Sequence, residues 1–297
     1  MVTWSFSSRT FHELANYGTI KVSIDKLANK KDKGEKCKMG EKIMLAYERT
    51  GNKESNTTLV FLHGSTMTKK GLLPLAEEFK DYNCIVFDLL AHGQSAGEEP
   101  EEVKVFAEAV EYSIQELQQQ KVVSEQVILL GYSMGGAITC EVAIRKNITL
   151  TGIVLLSSGG DLKNHTPLVD ALKEMPAEQF RTVAILGELF GSEASEDERE
   201  RISNLFATTM VPDIIGYGDL MASNRYDNLK ACSEISIPAL MVHGSEDKIV
   251  LPTAAIETWK VIDNSQMLMI PYKGHAAIYE DTGVIRDKII AFVEKCV

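Results

Sequence analysis

Ser133 stands in Gly131-Tyr132-Ser133-Met134-Gly135-Gly136, directly after the apolar run Val127–Leu130 and directly before a helix-competent stretch. A G-x-S-x-G spacing between a strand and a helix predicts a nucleophile elbow. The demand is steric. The turn is so sharp that the residues two before and two after the serine crowd each other, and Gly131 and Gly135 supply the missing side chains. The hydroxyl then projects from the end of the strand, and the following helix aims its N-terminal amides at the reacting centre.

A serine nucleophile needs a base, and the base needs an orienting acid. His275, in Pro271-Tyr272-Lys273-Gly274-His275-Ala276, follows the last apolar run and precedes the final helical pattern. Alone it would read as a loop histidine capping that helix; with Ser133 and an acid it reads as the base. Asp247, in His243-Gly244-Ser245-Glu246-Asp247-Lys248, follows the preceding apolar run and is the first choice of acid. Glu246 and Asp161 are its rivals. The chain order Ser133, Asp247, His275 is the order expected of such a triad on an α/β sheet.

The oxyanion formed on attack needs preorganised N–H donors. The N–H of Met134, next after the nucleophile, is one candidate. The other is the N–H of Ser65 in His63-Gly64-Ser65-Thr66, which ends another apolar run. Thr66 and Tyr132 are candidate substrate-binding residues, with ordinary turn chemistry as the plainer account of Ser65 and Thr66. His63, at a strand end, reads as a buried structural histidine.

The elements that must carry these residues are short apolar runs: Thr58–Leu62, Cys84–Phe87, Gln126–Leu130, Gly152–Leu156, Pro238–Val242 and Gln266–Ile270. They are continuous rather than alternating, as in strands covered on both faces. Helical spacing lies between them, at Val103/Phe106/Val110/Ile114/Leu117 and Ile285/Ile289/Phe292/Cys296. The first of these helices is expected to begin near Pro100, with Glu101 and Glu102 at its positive end. The fold class is therefore α/β, a mainly parallel β-sheet flanked by helices. From Ser157 to Ile237 roughly eighty residues pass without a convincing strand, far more than a crossover needs. Apolar clusters at Leu168/Leu172, Phe180/Val183/Leu186/Leu189/Phe190 and Leu205/Phe206/Met210 mark an inserted helical segment. The expected layout is an N-terminal extension with first strands at 1–42, a core at 43–160 and 234–297, and a helical cap at 161–233.

From about Ile43 to Val297 the chain resembles the α/β-hydrolase superfamily, in its capped esterase, lipase and carbon–carbon hydrolase branch. Besides the elbow and His63-Gly64, Asp88-Leu89-Leu90-Ala91-His92-Gly93-Gln94-Ser95 resembles the family turn D-x-x-G-H-G-x-S, with Ala91 in place of a glycine. The resemblance gives that turn, His92 included, a structural role. It also implies a cap closing over the nucleophile. Dehalogenases and epoxide hydrolases of this fold carry an aspartate nucleophile, against which Ser133 speaks. Carbon–carbon hydrolases often place a tryptophan shortly after the histidine, where Ala276-Ala277-Ile278 stands here.

Composition sets the remaining bounds. With 31 basic against 42 acidic residues the net charge is −11, which opposes a nucleic-acid partner. The lysine-rich run Lys21–Lys42 reads as a solvated loop. No stretch approaches the ~18 apolar residues of a membrane span, and no secretory signal opens the sequence. Five scattered cysteines without a CxxC pair suit reduced thiols in a cytoplasmic protein. Nucleotide-binding glycine motifs and zinc-spaced His/Cys clusters are absent from the sequence, so no cofactor and no metal are expected. The expected protein is a monomeric or homodimeric serine hydrolase acting on a small, fairly apolar ester-like molecule. Carbon–carbon or lyase chemistry on the same scaffold, or a poorly catalytic ligand-binding shell, are the alternatives.

Overall fold

The computed structural model describes residues 42–166, 188–209 and 217–297. Seven strands form one sheet in the order β1-β3-β2-β4-β5-β6-β7. They are β1 (Tyr47–Gly51), β2 (Thr57–Leu62), β3 (Asn83–Phe87), β4 (Gln126–Tyr132), β5 (Gly152–Leu156), β6 (Ala239–Gly244) and β7 (Ser265–Ile270). Only β1 runs antiparallel to its neighbour. Strands β2 to β6 are buried along essentially their whole length, as their continuous apolar runs predict, apart from Gln126 at the start of β4. In β7 every residue but Ile270 is only half-buried, because this strand closes the sheet and has a neighbour on one side alone.

Alternate side chains of each strand enter opposite cores. Val60, Leu62, Ile85 and Phe87 pack with α2 (Val103–Gln119) and α3 (Met134–Arg145) on one face. Leu59, Phe61, Cys84 and Val86 pack with α1 (Lys69–Ala76) and the C-terminal helix on the other. Helix α2 begins at Val103, not near Pro100, so Glu101 and Glu102 lie before its first turn. Glu102 makes no side-chain cap hydrogen bond. A missing cap costs about 1 kcal/mol, whereas each buried Phe106, Val110, Ile114 or Leu117 is worth about 1.5–3 kcal/mol. Packing therefore fixes the helix and lets Glu101 turn outward to pair with Arg225 at 2.8 Å.

Between β5 and β6 the described residues hold three helices, α4 (Glu196–Thr209), α5 (Tyr217–Arg225) and α6 (Leu229–Cys232). Within that interval their only extended pairing is the bridge from Asp161 to Asp227. The expected helical clusters at Leu168/Leu172, Phe180/Val183/Leu186 and Met210 lie outside the described residues, as does the N-terminal extension apart from Lys42. After β6 come α7 (Pro252–Val261), then β7, α8 (Ala277–Glu280) and α9 (Thr282–Cys296). Among the described residues no helix is long and apolar enough to cross a membrane. Cys84, Cys140, Cys232 and Cys296 are free thiols.

The chain lays down β2 and β3 in one direction across the sheet, then restarts at β4 on the far side of β2 and proceeds to β7. The C-terminal ends of β2 and β4 thus sit side by side with their following loops diverging, which opens a crevice at that edge. A Cβ added to Gly64, beyond β2, would lie 3.1 Å from the Ser133 Cβ beyond β4, so the two loops touch where they leave the sheet and part only farther out.

Candidate active site

Ser133 occupies φ 54° and ψ −120°, a left-handed conformation that costs a non-glycine residue about 1–3 kcal/mol. Its neighbours impose it. The Ser133 N–H donates to the Leu156 carbonyl at 2.9 Å, and its own carbonyl accepts the Gly136 N–H at 2.9 Å and the Ser158 hydroxyl at 2.7 Å. A Cβ on Gly131 would collide with the Gly135 carbonyl, and one on Gly135 with the Leu62 carbonyl. Glycine at both positions is what lets the turn close. Helix α3 starts at Met134, so its positive end faces the serine hydroxyl.

The structure brings Ser133, His275 and Asp247 together from the ends of β4, β7 and β6. His275 Nε2 lies 3.1 Å from the Ser133 Oγ, and His275 Nδ1 lies 2.8 Å from Asp247 Oδ2. With Nδ1–H donating to the carboxylate, Nε2 presents its lone pair to the serine hydroxyl. The other Asp247 oxygen accepts the N–H groups of Ile249 at 2.9 Å and Val250 at 3.0 Å. Asp247 and His275 are buried; Ser133 is partly accessible. Burial by itself pushes the Asp247 carboxyl up, but the adjacent His275 and hydrogen bonds from His243 and His275 overcome it and hold the group at about 2.

That depression has a consequence for stability. An unfolded aspartate titrates near ~3.9, so the ionised, hydrogen-bonded carboxylate stabilises the fold fully above that pH. The contribution is lost as pH falls through the folded value of about 2. Urea unfolding at stepped pH is expected to show Asp247→Asn less stable than the wild type at neutral pH, with the gap closing between about pH 4 and pH 2. A gap that stays constant over that interval would contradict this electrostatic account.

Neither rival acid touches His275. Asp161 accepts from Asn164, at 3.1 Å from its N–H and 2.8 Å from its side-chain amide. Glu246 is half-buried and accepts the N–H and hydroxyl of Ser192 at 2.6 and 2.9 Å. His63 is buried and structural in geometry: its Nδ1–H donates to the Gly64 carbonyl at 2.9 Å, and its Nε2 accepts the Leu89 N–H at 3.0 Å. Burial, then the neighbouring His92, lowers its pKa to about 3, so the ring is neutral.

Among the described residues, the N–H groups of Ser65 and Met134 have no protein acceptor. Both residues flank the Gly64–Ser133 contact. A cavity of about 60 Å³ opens above Ser133, lined by Ser65, Thr66, Tyr132, His275 and the apolar Leu162, Leu189, Phe206, Leu220, Ile249 and Val250. Thr66 and Tyr132 therefore both reach it. The Tyr132 hydroxyl, however, donates to the His275 carbonyl at 3.1 Å, and its ring lies 5.1 Å from the imidazole, so it also supports the histidine loop. A larger groove of about 380 Å³ between α1, α4 and α8 contains no histidine or carboxylate.

Three contributors escape a reading of the sequence. Ser157 donates its hydroxyl to the His275 carbonyl at 3.1 Å, and Ser158 holds the Ser133 carbonyl. His243 donates from Nε2 to Asp247 Oδ2 at 3.1 Å while also facing the Val250 carbonyl at 2.9 Å. The Ser157-Ser158 pair directly after an apolar run is a usable sequence signal. The i,i+4 pairing of His243 and Asp247 is a weaker one, because the two residues face each other only through the turn after β6.

Known proteins share this architecture. Residues 53–281 match the family model described as serine aminopeptidase, S33. An AB hydrolase superfamily protein, YisY, of Bacillus subtilis is 27% identical over 277 residues, covering 87% of this chain and 98% of the relative. Lipase 1 of Psychrobacter immobilis is 25% identical, covering 85% of this chain and 81% of the lipase. The crystal structure of a lipase-esterase related protein from Clostridium acetobutylicum superposes with a TM-score of 0.72 at 26% identity, covering 84% of this chain and 99% of that one. With a seven-stranded, mostly parallel sheet and a family match over most of its length, the chain belongs to the S33 serine aminopeptidase family of hydrolases, within the α/β-hydrolase superfamily.

Proposed function

We propose that the protein is a serine hydrolase that cleaves a carboxylic ester or thioester of a small, fairly apolar substrate through an acyl-enzyme. The observation that carries this is the unbroken relay from Ser133 Oγ through His275 to Asp247, at 3.1 and 2.8 Å, with two N–H donors beside Ser133 that have no acceptor among the described residues. Ser133 attacks the acyl carbon as His275 Nε2 takes its proton. Asp247 holds the imidazole in the required tautomer and stabilises the imidazolium. The N–H groups of Ser65 and Met134 receive the oxyanion. His275 then protonates the leaving alcohol or thiol, and in the second half activates water to release the acid. These steps need no group beyond the protein and water.

Residues 161–233 act in this reading as a cap, because Leu162, Leu189, Phe206 and Leu220 from that interval form much of the apolar wall above Ser133. The cavity volume, about 60 Å³, favours a short acyl group. The esterase and lipase relatives support ester chemistry in general, and the small cavity argues against long acyl chains.

A panel of p-nitrophenyl esters and thioesters of graded chain length, run beside a fluorophosphonate probe, tests the proposal. Turnover is expected to be highest for acetyl to butyryl esters and to fall steeply with length, with one probe per chain on Ser133. Folded protein that neither labels nor turns over any ester would overturn the enzymatic reading. A labelled serine with no ester turnover would instead favour carbon–carbon or lyase chemistry on the same scaffold.

A further inference from the structure

Asp219 is fully buried, and the reaction as described gives it no part. It sits in the first turn of α5, within the segment assigned above as the cap, and reaches down to the core. Its Oδ2 accepts the backbone N–H of Thr66, the residue after the oxyanion donor Ser65. The same oxygen lies 3.3 Å from His92 Nε2. His92 Nδ1 faces the Leu90 carbonyl at 2.6 Å and so must carry a proton, which leaves Nε2 directed at the carboxylate. A bare Nε2 there would face an anion lone pair to lone pair, so the pair is held together by a proton. Burial lowers the His92 pKa, but hydrogen bonding to Asp219 and its charge outweigh this and raise it.

Thr66 is the strained member of its loop. It holds φ 62°, a left-handed value at which a β-branched residue is an outlier. Such a conformation persists only where neighbours impose it, and the Asp219 carboxylate is the group gripping its N–H. The same helix adds a second tie, from Ser223 Oγ to Ser65 Oγ at 3.4 Å. Helix α5 is in turn anchored to the core by its Asp219 N–H, which donates to Glu99 at 3.2 Å; the pair between Arg225 and Glu101 lies exposed at its far end.

We propose that Asp219 is a positioning residue: by gripping the Thr66 N–H and His92 it fixes the Gly64–Thr66 loop so that the Ser65 N–H points at the oxyanion. The oxyanion hole is then complete only with α5 seated on the core. This rests on the serine-hydrolase reading above, and its test separates the two. The full-length wild type, Asp219→Asn, Asp219→Ala and Arg225→Ala would be compared by the rate of fluorophosphonate labelling of Ser133. Where an ester is turned over, kcat and KM would be compared as well. A misaimed oxyanion donor slows the chemical step, so Asp219→Ala is expected to lower the labelling rate and kcat by about 10–100-fold with KM changed little. Asp219→Asn keeps an oxygen for the Thr66 N–H and is expected to recover much of the loss. Arg225→Ala removes only an exposed ion pair, which leaves α5 seated through Asp219, and should match the wild type.

If Asp219→Ala does not fold, because the buried His92 Nε2 is left without its partner, the double variant Asp219→Ala/His92→Gln takes its place. A wild type that does not label would refute the serine-hydrolase reading itself. Equal labelling rates in the wild type and the alanine variant would refute only the role of Asp219. So would an equal loss in Arg225→Ala, or a loss confined to KM.

Discussion

Ser133→Ala is expected to lower kcat for any accepted ester by about 10⁴–10⁶-fold and to abolish fluorophosphonate labelling, with thermal stability nearly unchanged. The size follows from the division of labour in the site. Removing the hydroxyl leaves the oxyanion donors and the cavity intact, so only their residual catalysis over water remains. Stability should hold because the bonds that fix the elbow are made by the Ser133 backbone, to Leu156, Gly136 and Ser158. The partly accessible side chain, by contrast, contributes little packing. Activity measured against an active-site titration, together with a melting curve, checks both halves. A melting temperature lower by many degrees would mark Ser133 as structural.

Asp247→Asn is expected to cost about 10⁴-fold in kcat. The amide can no longer accept from His275 Nδ1–H as an anion, so the ring is free to present the wrong tautomer to Ser133. Its NH₂ would also meet the Ile249 and Val250 N–H groups or the His275 Nδ1–H, donor against donor. Asp161→Asn should leave kcat within about twofold, because that carboxylate serves only Asn164 and its own loop. Were the two variants to exchange phenotypes, the acid would be Asp161 and the reading of the triad would fail.

Strands β2 to β6 were legible because their apolar runs are unbroken, which only a strand covered on both faces requires. Strand β1, Tyr-Glu-Arg-Thr-Gly, was not. It lies at the sheet edge with a polar outer face, and its pairing with β3 is invisible without the partner. The start of α2 was misplaced for a related reason: Pro100 and the two glutamates imitate a helix N-terminus, but Glu101 is drawn off by Arg225 from a distant segment. The elbow and the two loop motifs were readable because their chemistry is local, each residue standing beside the strand that aims it. Ser157, Ser158, His243 and Asp219 were not, since each acts on a partner reached only through the fold. Ala91 shows the limit from the other side. It holds φ 62° where the family turn has glycine, so the backbone there keeps its left-handed shape although the residue type changes.

The Ser133 to His275 contact spans 142 positions of sequence, and the Thr66 to Asp219 contact spans 153. Neither can form from a hairpin or a single strand–helix unit; both wait until distant segments of the chain have docked. Covalent capture of Ser133 is therefore a clock for the last stage of folding. During refolding from urea, the growth of probe-reactive protein should trail the recovery of helical circular dichroism, and the lag would time the closing of the sheet's two halves around one atom.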